Sequence, residues 1–245
     1  ISELPSITGA NVDDANDTLA IVDSSTSTTN KITRKELFTD VTVTNDADVN
    51  GLTVGRGAGG VSTNTALGLQ ALLNNTTGGS NTVSGRQALL NNTTGSNNTV
   101  SGYQALFNNT TGGNNTASGY QALFRNTTSE NNTASGYQAL FNNTTGANNT
   151  ASGYKALFNN TTGGSNTASG TSALTNNTTG ANNTATGVES LFFNSTGRFN
   201  VAVGFQTLRA STTADNNTAI GYQTLYSNTT GTSNTATGYK ALEDN

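Results

Sequence analysis

The sequence predicts an all-β protein whose main body is a parallel β-solenoid, or β-roll, of about eleven coils. Three observations carry this prediction: a 17-residue repeat without insertion or deletion, a leucine at one fixed position of every repeat, and a short alternating segment before each repeat's glycine. One unit, residues 101–117, reads S-G-Y-Q-A-L-F-N-N-T-T-G-G-N-N-T-A. A short fixed period means that each unit can bury its apolar side only by stacking on its neighbours.

One glycine marks the repeat, and its spacing never varies. Because loops tolerate changes of length, the constant interval indicates that every residue of the unit has a fixed place in the coil. Glycine at this place predicts a backbone angle that other residues resist. The key glycines are Gly68, Gly85, Gly102, Gly119, Gly136, Gly153, Gly170, Gly187, Gly204, Gly221 and Gly238.

Every unit has a leucine four residues after the key glycine. Such a column predicts a structural core ladder in which each leucine packs on its equivalents, and burying one such side chain contributes roughly 1.5–3 kcal/mol. The position after the leucine is usually aromatic or apolar, so we expect it to be half covered. The ladder consists of Leu72, Leu89, Leu106, Leu123, Leu140, Leu157, Leu174, Leu191, Leu208, Leu225 and Leu242.

Each coil is expected to contain two short strands joined by tight corners. The segment before the key glycine is N-V-A-V-G at residues 200–204 and N-T-A-S-G in the middle units, an alternation typical of strands. The N-N-T-T-G segment supplies a corner. We expect the asparagine that opens the strand to form amide ladders along the stack, and the residue two after the glycine, usually Gln, to face solvent. Extra apolar residues near Gly187 and Gly204 predict a wider core or a change of twist.

The composition limits the other possibilities. Of 245 residues, 32% are hydrophobic and 10% are charged, which is too few for a large globular core and too few for a charge-rich disordered chain. Because Ala and Thr at the strand positions are small, we expect several chains to pack together, preferably as a homotrimer. Cys, His, Trp and Met are absent and the net charge is −4, so we expect no disulfide, cofactor, metal or nucleic-acid partner.

The first 60 residues differ from the rest and are predicted to be an attachment and entry segment, followed by a repeat shaft at residues 61–245. They contain nine of the fourteen acidic residues and the one proline. With no initiating Met and an end partway through a coil, the sequence is expected to be a fragment. The predicted elements are strands at 18–23, 31–33, 41–43 and 52–54, polar turns at 24–30 and 45–51, a short helix capped by Thr33, and a joint at 55–60.

An aromatic column follows the key glycines. It predicts either a receptor-facing strip on which sugars stack, or rings that stack as a ladder or pack between chains. Its members are Tyr103, Tyr120, Tyr137, Tyr154, Phe205, Tyr222 and Tyr239.

A second candidate surface is the T-x-S pair in each strand, such as Thr116 and Ser118. This pair resembles the regular threonine arrays of ice-binding solenoids. Val201 and Val203 occupy the same two positions in another coil. Their apolar character favours positions that face inward or toward a partner chain.

Catalysis is not expected. Carbohydrate-cleaving tailspikes share the solenoid plan and need two carboxylates close together. Glu130, Glu189 and Asp215 form no such pair within a coil, and nothing titratable is expected beside them. The acidic residues of the first 60 positions lack the full ligand set of a calcium loop. We therefore expect no catalytic, cofactor-binding or metal-binding residues.

The unit N-T-A-x-G-Y-Q-A-L-x-N-N-T-T-G resembles repeats of phage tail-fibre and adhesin-like proteins, including those of cyanophages. The opening L-P-x-x-T-G-A-N-V-D-D-A-N-D-T-L-A-I-V-D is similar to segments near the start of cyanophage structural proteins. The N-x-A-x-G core also resembles head repeats of trimeric autotransporter adhesins, which form a left-handed β-roll trimer. Those repeats lack the N-N-T-T-G insertion.

This resemblance implies a virion tail-fibre shaft that acts outside the cell and links the virion to a host-receptor-binding end. Residues 1–60 would contact other tail proteins, copies of the chain would contact one another, and a host receptor or glycan would bind beyond the shaft. No membrane insertion is implied. The alternative is a cell-surface adhesin, or an ice-binding solenoid that acts through its Thr/Ser or Tyr face.

Overall fold

The computed structural model describes residues 18–23, 28–33, 47–49 and 52–244. The chain divides into two compact units, Ile1–Thr44 and Asn45–Asn245. In the first unit β1 (Thr18–Asp23) pairs antiparallel with β2 (Thr28–Thr33). The strand predicted at 18–23 is confirmed, and the second strand begins three residues earlier than predicted. The strand predicted at 41–43 and the helix predicted after Thr33 lie outside the described residues.

The second unit opens with an antiparallel segment that lies against the first coil. β3 (Ala47–Val49) pairs with β4 (Leu52–Gly55), and β4 pairs with β5 (Thr65–Gly68). The predicted strand at 52–54 is confirmed, whereas the turn predicted at 45–51 contains a strand. A 3₁₀ turn at Ala58–Gly60 follows, and the N–H of Ala58 donates to the carbonyl of Leu72.

From β5 onward the strands are parallel and pair in register with the strand one coil away. Eleven such strands enclose about ten complete coils of 17 residues, which confirms the predicted parallel β-solenoid. After β5 the strands are β6 (Thr82–Ser84), β7 (Thr99–Ser101), β8 (Thr116–Ser118), β9 (Thr133–Ser135), β10 (Thr150–Ser152), β11 (Thr167–Ser169), β12 (Thr184–Thr186), β13 (Val201–Val203), β14 (Thr218–Ile220) and β15 (Thr235–Thr237).

Each coil contains one strand, so the prediction of two strands per coil is wrong. The side of the coil with sequence Y-Q-A-L-F is a run of turns in which Gln104 and Leu106 have φ of 51° and 53°. The equivalent two residues have positive φ in every coil. Left-handed residues interrupt the extended backbone that a strand requires. The N–H groups of this side still reach the next coil, as from Leu106 to the carbonyl of Ala122 at 2.9 Å.

The core is narrow and is closed within a single chain. Its three columns are the central strand residue, the residue three after the key glycine and the leucine ladder. In one coil these are Ala117, Ala122 and Leu123, each no more than 1% exposed. Small residues fit here because the coil is thin, so the size of alanine gives no reason to require a neighbouring chain.

The leucine ladder occupies the centre of this core. All members from Leu72 to Leu225 are fully buried, and Leu242 is 51% exposed. The coils around Gly187 and Gly204 keep the leucine ladder and the central strand alanine, while buried Ser190 and Thr207 replace the alanine three after the key glycine. Ala185 and Ala202 are fully buried there, and the additional apolar side chains of these coils point outward.

The key glycine is needed for two reasons. Its φ lies between +127° and +142° along the stack, a conformation that disfavours any side chain. In addition, a Cβ atom on Gly136 would overlap the carbonyl oxygen of Gly153 in the next coil. The backbones of successive coils therefore approach each other at this point more closely than another residue allows.

We expect Gly136→Ala to lower the free energy of unfolding by about 2 kcal/mol or more, because it combines backbone strain with a steric clash inside the stack. The measurement is urea-induced unfolding followed by circular dichroism. Gly164→Ala is the matched control, because Ala147 and Ala181 already occupy its column. The control should change stability by less than about 0.5 kcal/mol. Equal losses in the two variants would contradict the role of the key glycine.

Candidate functional site

The candidate sites of this protein are columns of side chains on the outside of the stack. Parallel strands in register place each residue about 4.8 Å from its equivalent in the next coil. The described residues contain no group of three or more His, Cys, Asp or Glu side chains that could hold a metal ion. Among the same residues, no helix has the length and apolar character needed to cross a membrane.

The tyrosine column lies on the outside with its rings stacked on one another. Adjacent ring centroids from Tyr103 to Tyr154 are 5.1–5.3 Å apart, and a second stack runs from Phe205 to Tyr239. Each ring face is covered by the next ring, so solvent meets the ring edges and the hydroxyls. A sugar stacks on the face of a ring, which in this arrangement is occupied. The geometry therefore favours ladder packing over a sugar-stacking strip.

Cationic side chains cover the two ends of the longer stack. The guanidinium of Arg86 lies 5.9 Å from the ring centroid of Tyr103, and Nζ of Lys155 lies 5.4 Å from that of Tyr154. A cation over an aromatic face is attracted by the ring quadrupole. These contacts leave few free faces in this stack, while Tyr239 in the second stack is 74% exposed.

The position after each leucine is half buried where it is aromatic, as predicted. Phe107, Phe124, Phe141 and Phe158 form a third stack with centroids 5.1–5.2 Å apart. Three coils further on, the guanidinium of Arg209 replaces a ring and lies 5.2 Å from the centroid of Phe192.

Glu189 is not isolated from other titratable groups, contrary to the expectation from sequence. Nε of Arg209 donates to Oε2 of Glu189 at 2.8 Å, and Nε2 of Gln206 donates to the same oxygen at 2.9 Å. The bond from Arg209, followed by that from Gln206, lowers the pKa of Glu189 below its ordinary value. This carboxylate is held as an ion pair on the surface, with no second carboxylate described beside it.

The Thr/Ser pairs point outward, which contradicts the inward-facing alternative, while the alternative that they face a partner chain stays a prediction. In the six strands β6–β11 the two outer residues are exposed and the central residue is buried. The central residue, not the hydroxyl residues, supplies the core. Hydroxyl side chains such as Thr116 and Ser118 thus form two parallel exposed columns on one face of the sheet.

The predicted amide ladder at the start of each strand is confirmed. Oδ1 of Asn81 accepts from the backbone N–H of Asn98 at 3.0 Å and from its Nδ2 at 3.1 Å. Asn98 is fully buried. The glutamine two after the key glycine, expected to face solvent, is partly covered and forms a ladder of its own, as from Nε2 of Gln121 to Oε1 of Gln104 at 3.0 Å.

A second buried asparagine ladder runs through the N-N-T-T-G corner, and sequence reasoning missed it. Nδ2 of Asn109 donates to Oδ1 of Asn92 at 2.8 Å and to the carbonyl of Gly112 at 2.9 Å. The available signal was that the second asparagine of this segment is nearly as regular as the leucine, with Ser211 as the exception. The ladder contains Asn75, Asn92, Asn109, Asn126, Asn143, Asn160, Asn177 and Asn194.

An open polar groove lies along this corner. Its volume is about 460 Å³, within the range of ligand-binding clefts. One wall is a row of asparagines, another is a row of threonines, and a single arginine stands at one end. The lining residues are Arg125, Asn142, Thr144, Asn159, Thr161, Asn176 and Thr178. The amides and hydroxyls that line it already donate within the stack, as from Nδ2 of Asn142 to Oδ1 of Asn159 at 3.1 Å and from Oγ1 of Thr144 to the carbonyl of Thr161 at 3.0 Å.

Comparison of the chain with protein-family models, with curated proteins and with solved structures finds no match. The repetitive β-solenoid is compatible with a structural or adhesive role, and the fold alone indicates no more specific function.

The second asparagine ladder has one break, and its surroundings explain it. Ser211 stands in the ladder position, and Oδ1 of Asn194 and Oγ of Ser211 are buried without a hydrogen-bond partner. Three residues after each ladder asparagine the chain normally has glycine, because a Cβ there would overlap the asparagine Oδ1. At this coil the residue is Ala214. Ser129 also carries a Cβ at this place, beside Asn126, but its hydroxyl donates to Oδ1 of that asparagine, which an alanine cannot do.

The double variant S211N/A214G should restore the ladder and raise the free energy of unfolding by about 1–3 kcal/mol, because it satisfies a buried acceptor. The single variant S211N should gain less or lose stability, since Ala214 still crowds the new amide. Thermal unfolding of both variants and of A214G alone measures the coupling. Additive effects of the two substitutions would contradict this account.

Proposed function

We propose that the chain is a structural and adhesion protein, the shaft of a phage tail fibre of the cyanophage type. In this proposal residues 1–60 attach to other tail proteins of the virion. The coils hold a host-receptor-binding end away from the particle. The protein acts outside the host cell and performs no catalysis.

The observation that supports this proposal most directly is the continuous hydrogen bonding between coils. In the coil that begins at Gly119, inter-coil bonds are made by the N–H groups of Gly119, Gln121 and Leu123 at 2.8, 2.9 and 3.0 Å. The opposite corner and the strand make equivalent bonds. Every side of the coil is therefore tied to the next coil, as a stiff spacer requires.

The resemblance of the repeat and of the opening segment to cyanophage structural proteins provides the second line of support. It suggests the virion as the location, and a host-surface receptor or glycan as the eventual partner. The homotrimer expected from the sequence stays a prediction. Its original argument was that alanine is too small to fill the core of one chain, and the filled core removes that argument.

The proposal predicts that antibodies raised against the purified chain will bind tail fibres. Immunogold electron microscopy of phage particles from cyanobacterial lysates tests this. We expect gold along slender fibres at the tail, and no labelling with antibodies pre-absorbed on the chain. Label confined to cell surfaces or to the medium would contradict a virion shaft and favour a cellular adhesin.

A second candidate function is ice binding, and one observation favours it. The Thr/Ser columns of β6–β11 are exposed, evenly spaced and flanked by no charged residue within the strands. A regular array of hydroxyls on a rigid sheet matches the repetitive surface of a crystal better than it matches a single soluble ligand.

If this second function holds, the full chain should show thermal hysteresis and shape growing ice crystals, measured by nanolitre osmometry. Thr133→Lys should abolish the effect, because a long charged side chain interrupts the exposed array without entering the core. Tyr137→Thr is the control, since Thr171 already occupies that column. Absence of hysteresis in the unmodified chain would exclude this candidate.

A further inference from the structure

The T-T-G corner of most coils is held to the next coil by three backbone hydrogen bonds. In the coil that begins at Gly136, the N–H groups of Thr144, Thr145 and Gly146 donate to the carbonyl of Thr161 at 3.0, 3.2 and 3.3 Å. The same three bonds occur in the coils that begin at Gly68, Gly85, Gly102, Gly153 and Gly170. The coil at Gly187 keeps two of the three, and the coils at Gly119 and Gly204 keep one.

The two corners with a single bond have a side chain where the other corners have glycine. The third corner residue is Ser129 in one coil and Ala214 in the other. At this position a Cβ on Gly146 would overlap the carbonyl oxygen of the next coil. In the second of these coils the N–H of Thr212 still donates to the next coil at 3.0 Å, whereas within residues 52–244 those of Thr213 and Ala214 donate to no acceptor. The Cβ atom thus keeps the corner away from the next coil.

The corner at Ser129 is connected to the next coil in another way. Its buried hydroxyl donates to Oδ1 of Asn126 and accepts from Nδ2 of Asn132 at 2.8 Å. The same hydroxyl accepts from Nδ2 of Asn143, one coil further on, at 2.9 Å. Ala214 has no polar side chain with which to form such a link.

The second asparagine ladder gives no support at the Ala214 corner either. Ser211 takes the place of the ladder asparagine, and Oδ1 of Asn194 in the preceding coil has no partner. Among the described residues, Nδ2 of Asn228 in the following coil donates only to the carbonyl of Gly231, at 3.0 Å. The ladder is therefore interrupted on both sides of this coil.

The glycine side of the same coil has an additional bond. Thr207 stands three residues after Gly204, where most coils have alanine. Its Oγ1 donates to the carbonyl of Gly221 in the next coil at 2.6 Å. The backbone bond beside it is kept, from the N–H of Leu208 to the carbonyl of Thr224 at 3.0 Å. One side of this coil is thus held more firmly than usual, and the corner is held less firmly.

We propose that the two coils that begin at Gly204 and Gly221 form a hinge in the stack. The coils separate at the T-T-A corner, residues 212–214, and pivot on the bond between Thr207 and Gly221. The two places are about half a coil apart, since Thr213 follows Gly204 by nine residues in a repeat of 17. Local opening occurs where bonds are few. The stack can therefore bend at this place while the bonds on its glycine side keep it continuous.

Hydrogen exchange of the full chain, followed at single amides by NMR, tests the hinge. The N–H groups of Thr212 and Thr144 are a matched pair, because each opens its corner and donates to the next coil at 3.0 Å. We expect Thr212 to exchange at least about tenfold faster than Thr144. The N–H groups of Leu208 and Leu140 are the matched pair on the pivot side, also at 3.0 Å, and should exchange at similar rates.

Two variants distinguish a hinge from a general weakness of these coils. S211N/A214G should slow the exchange of Thr212 to the rate of Thr144, because it rebuilds the corner. Thr207→Ala should speed the exchange of Leu208, because it removes the pivot bond. Circular dichroism checks that both variants keep the fold.

Four results would overturn the proposal. They are a Thr212 amide as slow as that of Thr144, fast exchange at both Thr212 and Leu208 in the unmodified chain, an unchanged Thr212 rate in S211N/A214G, and an unchanged Leu208 rate in Thr207→Ala. The second result would mean that the whole coil detaches, with no pivot.

Discussion

Hydrogen bonds between each coil and its equivalent 17 residues away hold this structure on every side. The constraint is strictest at the T-T-G corner. There the N–H groups of Thr110, Thr111 and Gly112 converge on the carbonyl of Thr127 at 2.9, 3.2 and 3.4 Å. A carbonyl that receives three donors leaves no room for a corner of another length. This explains why segments that would be variable loops in most proteins keep a constant length here.

Stacking at this interval also selects the chemistry of the side chains. A residue in a column meets copies of itself about 4.8 Å away above and below. Asn and Gln suit such a column because each amide donates to one neighbour and accepts from the other. Identical charges at this distance would repel one another. In the repeats no two like charges occupy successive coils of one column, and Lys155, for example, lies between Gln138 and Ser172, which accounts for the low charge of the chain.

The sequence was sufficient for the parts of the fold that depend on periodicity. The constant interval and the leucine column predict a solenoid whatever the path of the backbone, and the asparagine before each strand predicts a ladder. It was not sufficient for the path itself. The side that carries Gln104 and Leu106 contains residues that favour strands. Every second residue there, however, has a positive φ, and no residue preference predicts this conformation.

Predictions about which side chains face outward were less successful, for a related reason. Val201 and Val203 suggested that the Thr/Ser positions are internal, since apolar residues are usually buried. In the structure both valines lie on the outer side of the strand and are half buried, so they are an exception to that rule. The second asparagine ladder was missed because Asn and Gly together are typical of turns. Only the geometry of the corner shows that the glycine is there to accommodate the asparagine.

The register that ties every coil to the next also limits how such a protein can change during evolution. An insertion of one residue would displace the columns of one coil against its two neighbours, so it breaks the ladders at that coil even though later coils keep their own interval. Adding or removing a complete coil leaves all columns matched. In the gene, length should therefore change by in-frame duplication or loss of whole repeat units, through recombination between nearly identical stretches of DNA. Lengthening the stack would then need no new structural solution, only another copy of one already present.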